Sequence, residues 1–156
     1  MEKKKAKFNF IDVLVILVIL AAVGFVGFTV FGGGFGGGEA ATYEVTYLCE
    51  EVPDFAATII KEGDKVLDEQ KDTDLGVVTD VKLSGSRTYT TTETGDVKIV
   101  PKEYYNCVEL TTKVDATEYD FGMIVDSCKY GVGHSITIRV GKAKIFGRIS
   151  GIEKID

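Results

Sequence analysis

The sequence predicts a mainly β protein, with an N-terminal transmembrane helix followed by a small β-barrel-like domain that contains one short helix. Two observations predict this fold class. Residues 13–31 form an uncharged apolar stretch of nineteen positions, long enough at ~1.5 Å of rise per residue to cross the ~30 Å hydrocarbon core of a bilayer. Beyond residue 42, apolar and polar residues alternate with a period of two, which is typical of strands with one buried face.

Four lysines precede the apolar stretch: Lys3, Lys4, Lys5 and Lys7. Because positive charge is retained on the cytoplasmic side, residues 1–12 are predicted to be a basic cytoplasmic tail, and the C-terminal domain is predicted to be extracytoplasmic. The stretch is longer than the ~7–15 apolar residues of a secretory signal, and the one small-residue cleavage pattern lies beyond a glycine tract. The sequence therefore favours a retained single-pass signal-anchor in the cell membrane, in contact with the lipid bilayer through residues 13–31.

A type IV pilin or pseudopilin is an alternative for the N-terminus. Residues 8–14, FNFIDVL, resemble the start of a mature pilin, an aromatic residue followed by an apolar helix with an acid at the fifth position, here Asp12. Lys7 stands where the prepilin peptidase requires glycine, so the match is partial. Otherwise Asp12 lies at the cytoplasmic boundary of the span, where an acid costs far less than at mid-bilayer.

Residues 32–41 are predicted to be a glycine-rich linker, which behaves as a flexible tether. Residues 42–156 then suffice for one compact domain. From Glu39 onward the chain has 14 basic and 22 acidic residues, a net charge of −8. Such a domain is a poor match for nucleic acid or for an anionic lipid surface.

Alternation is clearest in three strands, where the predicted inward residues are Tyr43, Val45, Tyr47 and Cys49; Val108, Leu110, Thr112 and Val114; and Ile136, Ile138 and Val140. Turn-forming glycines separate the apolar runs. One short helix is predicted from Pro53-Asp54 to Gly63, because proline suits a first turn, Phe55 and Ile59 share a face, and a glycine follows. Strands are predicted near residues 43–49, 65–68, 76–83, 87–92, 97–101, 106–114, 119–125, 135–140 and 143–152.

Two segments resemble each other. Residues 63–66 (GDKV) lead to residues 75–81 (LGVVTDV), and residues 133–136 (GHSI) lead to residues 146–152 (FGRISGI), at an offset of 70 and then 71. This likeness predicts two hairpin units related by a pseudo-twofold axis, with Gly76 and Gly147 where backbones come close. The alternative is that a small barrel places glycine and branched residues in this way without duplication. Both interpretations lead to a closed or nearly closed barrel, since closure removes unpaired edges.

The lysine-rich start, the helix beginning FNFIDVLVILVIL, the segments EGDKVLD and LGVVTDV, and the ending VGHSITIRVGKAKIFGRISGI together resemble a family of short single-pass bacterial membrane proteins known only as a domain of unknown function. The resemblance covers nearly the full chain. It implies the topology and a location on the outer face of the cell membrane. It implies no activity, because its motifs are structural glycines and branched apolar residues.

The sequence contains no motif that predicts catalysis or a cofactor. The single histidine, His134, lies in a glycine-rich turn and is interpreted as a solvated turn residue. An acidic loop, Asp68, Glu69, Asp72 and Asp74, lacks the spacing of a calcium loop, so it is interpreted as solvated, with weak calcium binding as the alternative. Cys49, Cys107 and Cys128 are interpreted as free thiols, mostly buried, with one disulfide among them as the alternative.

The function that these observations favour is a noncatalytic interaction or scaffold module of the bacterial cell envelope, whose partners are other envelope proteins or glycan. No catalytic, cofactor-binding or metal-binding residue is assigned. Five tyrosines near predicted hairpin tips are candidates for a binding surface or for packing across strands: Tyr89, Tyr104, Tyr105, Tyr119 and Tyr130. The competing class is a glycan hydrolase that uses two carboxylates in one cleft, for instance Asp80 with Asp126.

Overall fold

The computed structural model of the protein describes residues 16, 18–20 and 40–155. The predicted cytoplasmic tail, the pilin-like start and the glycine-rich linker up to residue 39 lie outside the described residues, as does most of the predicted membrane span. Within that span, residues 16 and 18–20 are helical. Of the residues described, none belongs to a helix with the length and apolar character needed to cross a membrane.

The domain is mainly β. Its elements are β1 (Ala40–Pro53), α1 (Asp54–Ala57), β2 (Lys65–Asp68), β3 (Asp74–Gly85), β4 (Thr88–Thr91), β5 (Val97–Val100), β6 (Tyr105–Tyr119), β7 (Gly122–Val125), β8 (Cys128–Tyr130), β9 (Ser135–Val140) and β10 (Ala143–Ile155). All of them belong to one compact unit, Gly38–Asp156. Compared with the predicted strands, β1, β3, β6 and β10 are longer, and β8 is an additional strand. The strand predicted near residues 119–125 was too long, because a turn at residues 120–121 separates β6 from β7.

Six strands pair in a closed cycle. The antiparallel neighbours run β1, β10, β9, β2, β3 and β6, and β6 then pairs along most of its length with β1. Strands β7 and β8 extend from the far end of β6, while β4 and β5 form a separate two-stranded sheet. We call this two-stranded sheet the ribbon. Because each strand of the cycle has a neighbour on both sides, most of its backbone N–H and C=O groups are paired.

The core fills the inside of this cycle, as the period-two pattern predicted. All eleven residues that were predicted to face inward on β1, β6 and β9 are buried, none more than 7% exposed. On β10 the buried positions are Ala143, Ile145, Gly147 and Ile149, again every second residue. Residues at the positions between them are more exposed and form the outer surface of the cycle, where the candidate site lies.

The predicted helix is much shorter than expected. It covers Asp54–Ala57 and does not reach Gly63. Phe55 and Ile59, the pair that predicted a buried helical face, are 77% and 46% exposed. The prediction of a helix to residue 63 was therefore wrong, because three consecutive β-branched residues, Thr58 to Ile60, disfavour helix propagation.

The two similar segments are held by the same backbone bonds. In the first, Gly63 N donates to Val78 O (2.8 Å) and Val78 N to Asp64 O (2.9 Å); in the second, Gly133 N donates to Ile149 O (2.8 Å) and Ile149 N to His134 O (3.0 Å). Gly63 and Gly133 also share a positive φ, +86° and +88°. The first segment contains the β2–β3 hairpin and the second contains the β9–β10 hairpin, and these two hairpins are neighbours through β2 and β9.

Candidate functional site

The residues of the acidic loop are separated by their partners. Asp68 is 2% exposed, and its carboxylate accepts hydrogen bonds from the Tyr130 hydroxyl (2.9 Å) and from the Gln70 N–H (2.9 Å). These bonds fix the loop between β2 and β3 against β8. Burial raises the pKa of Tyr130, and its hydrogen bond to the Asp68 carboxylate raises it further. Asp68 is thus a structural residue of this loop.

The other three acids of the loop form ion pairs. Three ion pairs involve Arg139 or Lys144 on the hairpin of β9 and β10: Glu69–Arg139 (3.1 Å), Glu69–Lys144 (3.1 Å) and Asp72–Arg139 (3.4 Å). Asp74 pairs with Lys65 at 3.0 Å. Within residues 40–155, no group of three or more His, Cys, Asp or Glu side chains is placed to hold a metal ion. These pairs bind the loop to neighbouring strands, but the Asp72 side chain is still 85% exposed, as expected of a solvated loop, and the buried Asp68 is the residue that departs from that expectation.

The structure does not bring Asp80 and Asp126 into one cleft. Asp80 forms an ion pair with Lys82 at 3.1 Å. Asp126 is exposed and lines a cavity of about 510 Å³ together with Asp74 and Asp115, and Asp80 is not among the lining residues. The arrangement that a two-carboxylate hydrolase requires is therefore not formed by this pair.

His134 takes part in the turn that precedes β9. Its N–H donates to Gly131 O (3.1 Å) and its carbonyl accepts from Ile149 N (3.0 Å). Its ring is half-buried, with its centroid 5.7 Å from that of Tyr130. These contacts are consistent with a structural turn residue.

The three cysteines are free thiols in the structure. Cys49 and Cys107 are buried and Cys128 is half-buried, where its sulfur accepts a hydrogen bond from the Thr73 hydroxyl (3.4 Å). Burial raises the pKa of Cys49 from 9.0 to about 12, with a smaller contribution from the neighbouring Cys107. A thiol with such a pKa is inert at neutral pH, because the thiolate is the nucleophile and the metal ligand.

The five candidate tyrosines fall into two groups. Tyr130 is buried, and Tyr105 and Tyr119 are half-buried beneath the side chains of Lys102 and Lys129. Tyr104 and Tyr89 are exposed, by 76% and 57%. Of the two, Tyr89 lies at a cavity, and this cavity is the candidate functional site.

The candidate site is a groove of about 450 Å³ between the ribbon and the outer surface of the closed cycle. Its floor is a row of residues across β1, β10 and β9. In the register of the sheet, Leu48 lies beside Arg148, and Arg148 lies beside Ser135. These residues face outward because the residues beside them on the same strands face the core. The full lining is Leu48, Glu50, Glu51, Arg87, Tyr89, Ser135, Phe146, Gly147 and Arg148.

The ribbon forms the wall of the groove. Three hydrogen bonds attach the first residues of the ribbon, and the residue before it, to the end of β1. Arg87 N donates to Glu50 O (3.0 Å), the Thr88 hydroxyl to the Glu51 carboxylate (2.7 Å), and the Tyr89 hydroxyl to the Glu50 carboxylate (3.0 Å). The second oxygen of Glu50 accepts from Arg148 at 2.7 Å. Glu50 thus fixes both an aromatic ring and a guanidinium at the groove, and its side chain is only 17% exposed.

Two aromatic rings are exposed at the groove. Phe146 is 66% exposed on β10, and Tyr89 is 57% exposed on the ribbon. Ile99 lies opposite Tyr89 and Val97 lies opposite Thr91 in the ribbon, and both are more than half exposed. The apolar surface therefore continues from the groove along one face of the ribbon.

The sequence profile of a family described as "Domain of unknown function (DUF4330)" matches residues 2–153. The chain belongs to the DUF4330 family. Its expected membership of a family without an assigned function is thereby confirmed, and the match includes the segments on which the resemblance was based. No curated protein and no solved structure matches this DUF4330 chain.

Sequence reasoning identified Tyr89 in the groove of this DUF4330 chain, but not Glu50, Arg87 or Phe146. Glu50 and Arg148 are 98 residues apart in the sequence, so no local pattern relates them. One signal was present, since Phe146 is a large apolar residue at an outward position of β10. Period two places Phe146 on the strand face opposite to that of the buried Ile145. A single exposed phenylalanine is common on protein surfaces, so this signal gains weight only from Tyr89 at the same groove.

Proposed function

We propose that this chain is a membrane-anchored extracytoplasmic β domain that acts as a noncatalytic interaction module of the bacterial cell envelope. The anchor rests on the sequence, on the uncharged residues 13–31 and the four lysines before them. Charge placed in this way retains the N-terminus in the cytoplasm and exports the remainder of the chain. The domain then acts outside the membrane, on a glycine-rich tether.

The observation that carries the proposal is the groove with its two exposed aromatic rings. Aromatic residues are frequent in the energetically dominant positions of binding surfaces, because they bury a large area at a low cost in side-chain entropy. Phe146 and Tyr89 are available for this, whereas two of the least exposed carboxylates, those of Asp68 and Glu50, are engaged in structural contacts. Asp68 holds Tyr130, and Glu50 holds Tyr89 and Arg148.

The closed cycle of strands supports a further part of the proposal, that the domain is a small β-barrel built from two related hairpin units. The cycle places β1 and β6 side by side and β2 and β9 side by side. Under a pseudo-twofold relation, β2 corresponds to β9, β3 to β10 and β6 to β1. The shared bonds of Gly63 and Gly133 favour this relation. A rigid barrel would hold the groove in a fixed geometry, as binding sites on loops and ribbons require.

Protease treatment of intact spheroplasts tests the location. With an epitope tag at the N-terminus, we expect the protease to remove the C-terminal domain and to leave the tagged N-terminal fragment protected. Lysed spheroplasts serve as the control, in which the tag is lost as well. A domain that stays intact until lysis would contradict the orientation.

Site-specific photocrosslinking tests the groove. A benzophenone amino acid at Phe146 is compared in native cells with the same amino acid at Phe121, which is 80% exposed on the turn between β6 and β7. We expect a crosslinked adduct of defined mass from position 146 and none from position 121. Equal adducts from both positions, or no adduct from position 146, would contradict an interaction through the groove.

A further inference from the structure

Not every charged side chain at the groove has an ion-pair partner. Four charged side chains line it, Glu50, Glu51, Arg87 and Arg148. Glu50 pairs with Arg148 at 2.7 Å and Glu51 pairs with Lys102 at 3.8 Å. Arg87 forms no ion pair with any residue in the described part of the domain. The groove thus retains one uncommitted guanidinium.

This guanidinium is notable because the chain from Glu39 onward has a net charge of −8. A polypeptide with that charge repels anions in general. Six lysines of the described domain also form no ion pair, so Arg87 is distinguished by its position in the groove, where the other three charged side chains are each neutralised by a partner. Guanidinium groups bind carboxylate and phosphate oxygens in a planar, two-pronged arrangement. Charge complementarity therefore points to a partner with a negative group.

The aromatic rings indicate the rest of the ligand. Tyr89 is held by Glu50 through its hydroxyl, and Phe146 is exposed on β10 of the groove floor. The C–H face of a sugar ring is apolar and flat, so it packs against such rings while its hydroxyls remain free for polar partners. Arg148 has five N–H donors, of which Glu50 occupies one, and Ser135 adds an exposed hydroxyl beside it.

The strands of the groove floor have neighbours on both sides, so they leave few free backbone groups with which an added β-strand could pair. In the register of the sheet, Leu48 lies beside Arg148 of β10 on one side and beside Glu109 of β6 on the other. Arg148 pairs with Leu48 and with Ser135. Since strand addition requires a free backbone edge, a ligand above this floor is recognised by side chains. The floor therefore suits a ligand that is held by side chains alone, as a glycan is, while the backbone edges near the groove belong to the two-stranded ribbon.

We propose that the groove binds an anionic glycan, with its carboxylate or phosphate on Arg87 and its sugar rings on Tyr89 and Phe146. The inference rests on the proposed function and gives the chemical class of the partner. Arg148 and Ser135 supply hydrogen bonds to hydroxyl groups. The partner is a polymer or oligomer of the envelope that is negatively charged.

Isothermal titration calorimetry with the full chain in detergent micelles tests the proposal. Two probes carry the anion in different forms, tetragalacturonic acid as a carboxylate and phosphorylated pentamannose as a phosphate. Galactotetraose is the neutral probe and tetraglutamate is the anionic probe without sugar rings. We expect saturable binding of at least one anionic saccharide, about tenfold or more tighter than that of galactotetraose, since a charge-assisted hydrogen bond contributes at least this factor.

Two variants with matched controls locate the binding. Arg87→Gln should weaken binding of the anionic saccharide by about tenfold or more. Lys61→Gln removes the same charge from an exposed loop residue that does not line the groove, so it should not change binding. Phe146→Ala should weaken binding as well, and Phe121→Ala should not. Circular dichroism of each variant establishes that the fold is retained.

The outcomes separate this inference from the proposed function. Failure of both anionic saccharides to bind, or binding that is unchanged in Arg87→Gln, would overturn the glycan assignment. Tighter binding of tetraglutamate than of either saccharide would overturn it in favour of an acidic peptide. Photocrosslinking at position 146 does not depend on the class of partner, so an adduct there without saccharide binding would leave the interaction function standing and reject the anionic glycan alone.

Discussion

Gly76 has a backbone conformation and a neighbour that leave no room for a side chain. Its φ is +84°, and an ideal Cβ would overlap the carbonyl oxygen of Lys113 on β6. Gly63 provides a matched control, because its φ is +86° with nothing within 4 Å of the added atom. We expect Gly63→Ala to cost about 1–2 kcal/mol from the left-handed backbone alone, and Gly76→Ala to cost about 2–5 kcal/mol because overpacking adds to it.

Chemical denaturation of both variants measures the difference. Equal losses for the two glycines would show that β3 moves away from Lys113 at little cost, and would contradict the close approach. Gly147 supplies a second case without a positive φ, since its Cβ would overlap two atoms, the Cys49 sulfur in the core and the Leu48 carbonyl oxygen, of which Cys49→Ala removes the first. Gly147→Ala in a Cys49→Ala background should therefore be less destabilising than Gly147→Ala alone.

The buried Cys49 thiol predicts a loss of stability in alkaline solution. Its pKa is about 12 in the folded protein, against an ordinary value of 9.0 for a solvated thiol. Above pH 9 the unfolded chain releases this proton while the folded chain retains it, so the free energy of unfolding falls as pH rises through this window, by up to about 1.4 kcal/mol per pH unit from this group. Tyr47, whose pKa burial also raises, contributes above pH 10.

Urea unfolding at pH 8.0 and at pH 10.5 checks this expectation. The Cys49→Ala variant should be less stable at pH 8.0, because it leaves a small cavity, but its stability should fall less between the two pH values. Cys128→Ala is the control, because it removes a thiol that is only half-buried. An identical pH dependence in wild type and Cys49→Ala would contradict the role of burial.

At the scale of elements, the ribbon depends on its bonds to β1. An isolated two-stranded hairpin is marginally stable in water, and seven of the eight strand residues of the ribbon are exposed. Glu50→Ala removes the acceptor of both Tyr89 and Arg148. We expect amide hydrogen exchange of residues 88–100 to become faster in this variant, while the strands of the closed cycle keep their protection. Hydrogen exchange with mass spectrometry measures both regions in one experiment.

Glu109→Ala is the control for the ribbon, because Glu109 also forms an ion pair on the outer surface, with Lys82 at 3.7 Å. Exchange of residues 88–100 should be unchanged in that variant. If Glu50→Ala accelerated exchange throughout the cycle, the ribbon and the cycle would unfold as one unit, and the wall of the groove would not be a separate element.

The elements also show what the sequence can and cannot predict. Alternation identified the inward residues of β1, β6 and β9, because every second side chain of a half-buried strand faces the core. The helix was overestimated, since Phe55 and Ile59 have helical spacing but no neighbour to pack against. The three-residue strand β8 was missed, because its pairing with β7 comes from a turn at Asp126 and Ser127, two non-glycine residues with positive φ.

The site was less predictable than the fold for a related reason. The groove joins the end of β1, the start of the ribbon and the middle of β10, and these are brought together only when the cycle closes. Tyr89 could be named from its residue type, and the ion pair of Glu50 with Arg148 could not, because pairing across 98 positions leaves no trace in local periodicity. Long-range register thus determines the site, whereas short-range patterning determines the strands.

At the scale of the whole molecule, the closed cycle predicts which fragment folds alone. Every residue of the main core cluster lies between Tyr43 and Ile149, and β1 completes the cycle by pairing with β6 from Ala40 onward. We therefore expect residues 40–156 alone to be soluble, monomeric and β-rich by circular dichroism. Residues 50–156 should not fold, because without Tyr43, Val45, Tyr47 and Cys49 the strands β6 and β10 lose their common neighbour and the core is exposed. A mainly helical spectrum of the longer fragment, or cooperative unfolding of the shorter one, would contradict a domain whose stability depends on closure of the cycle.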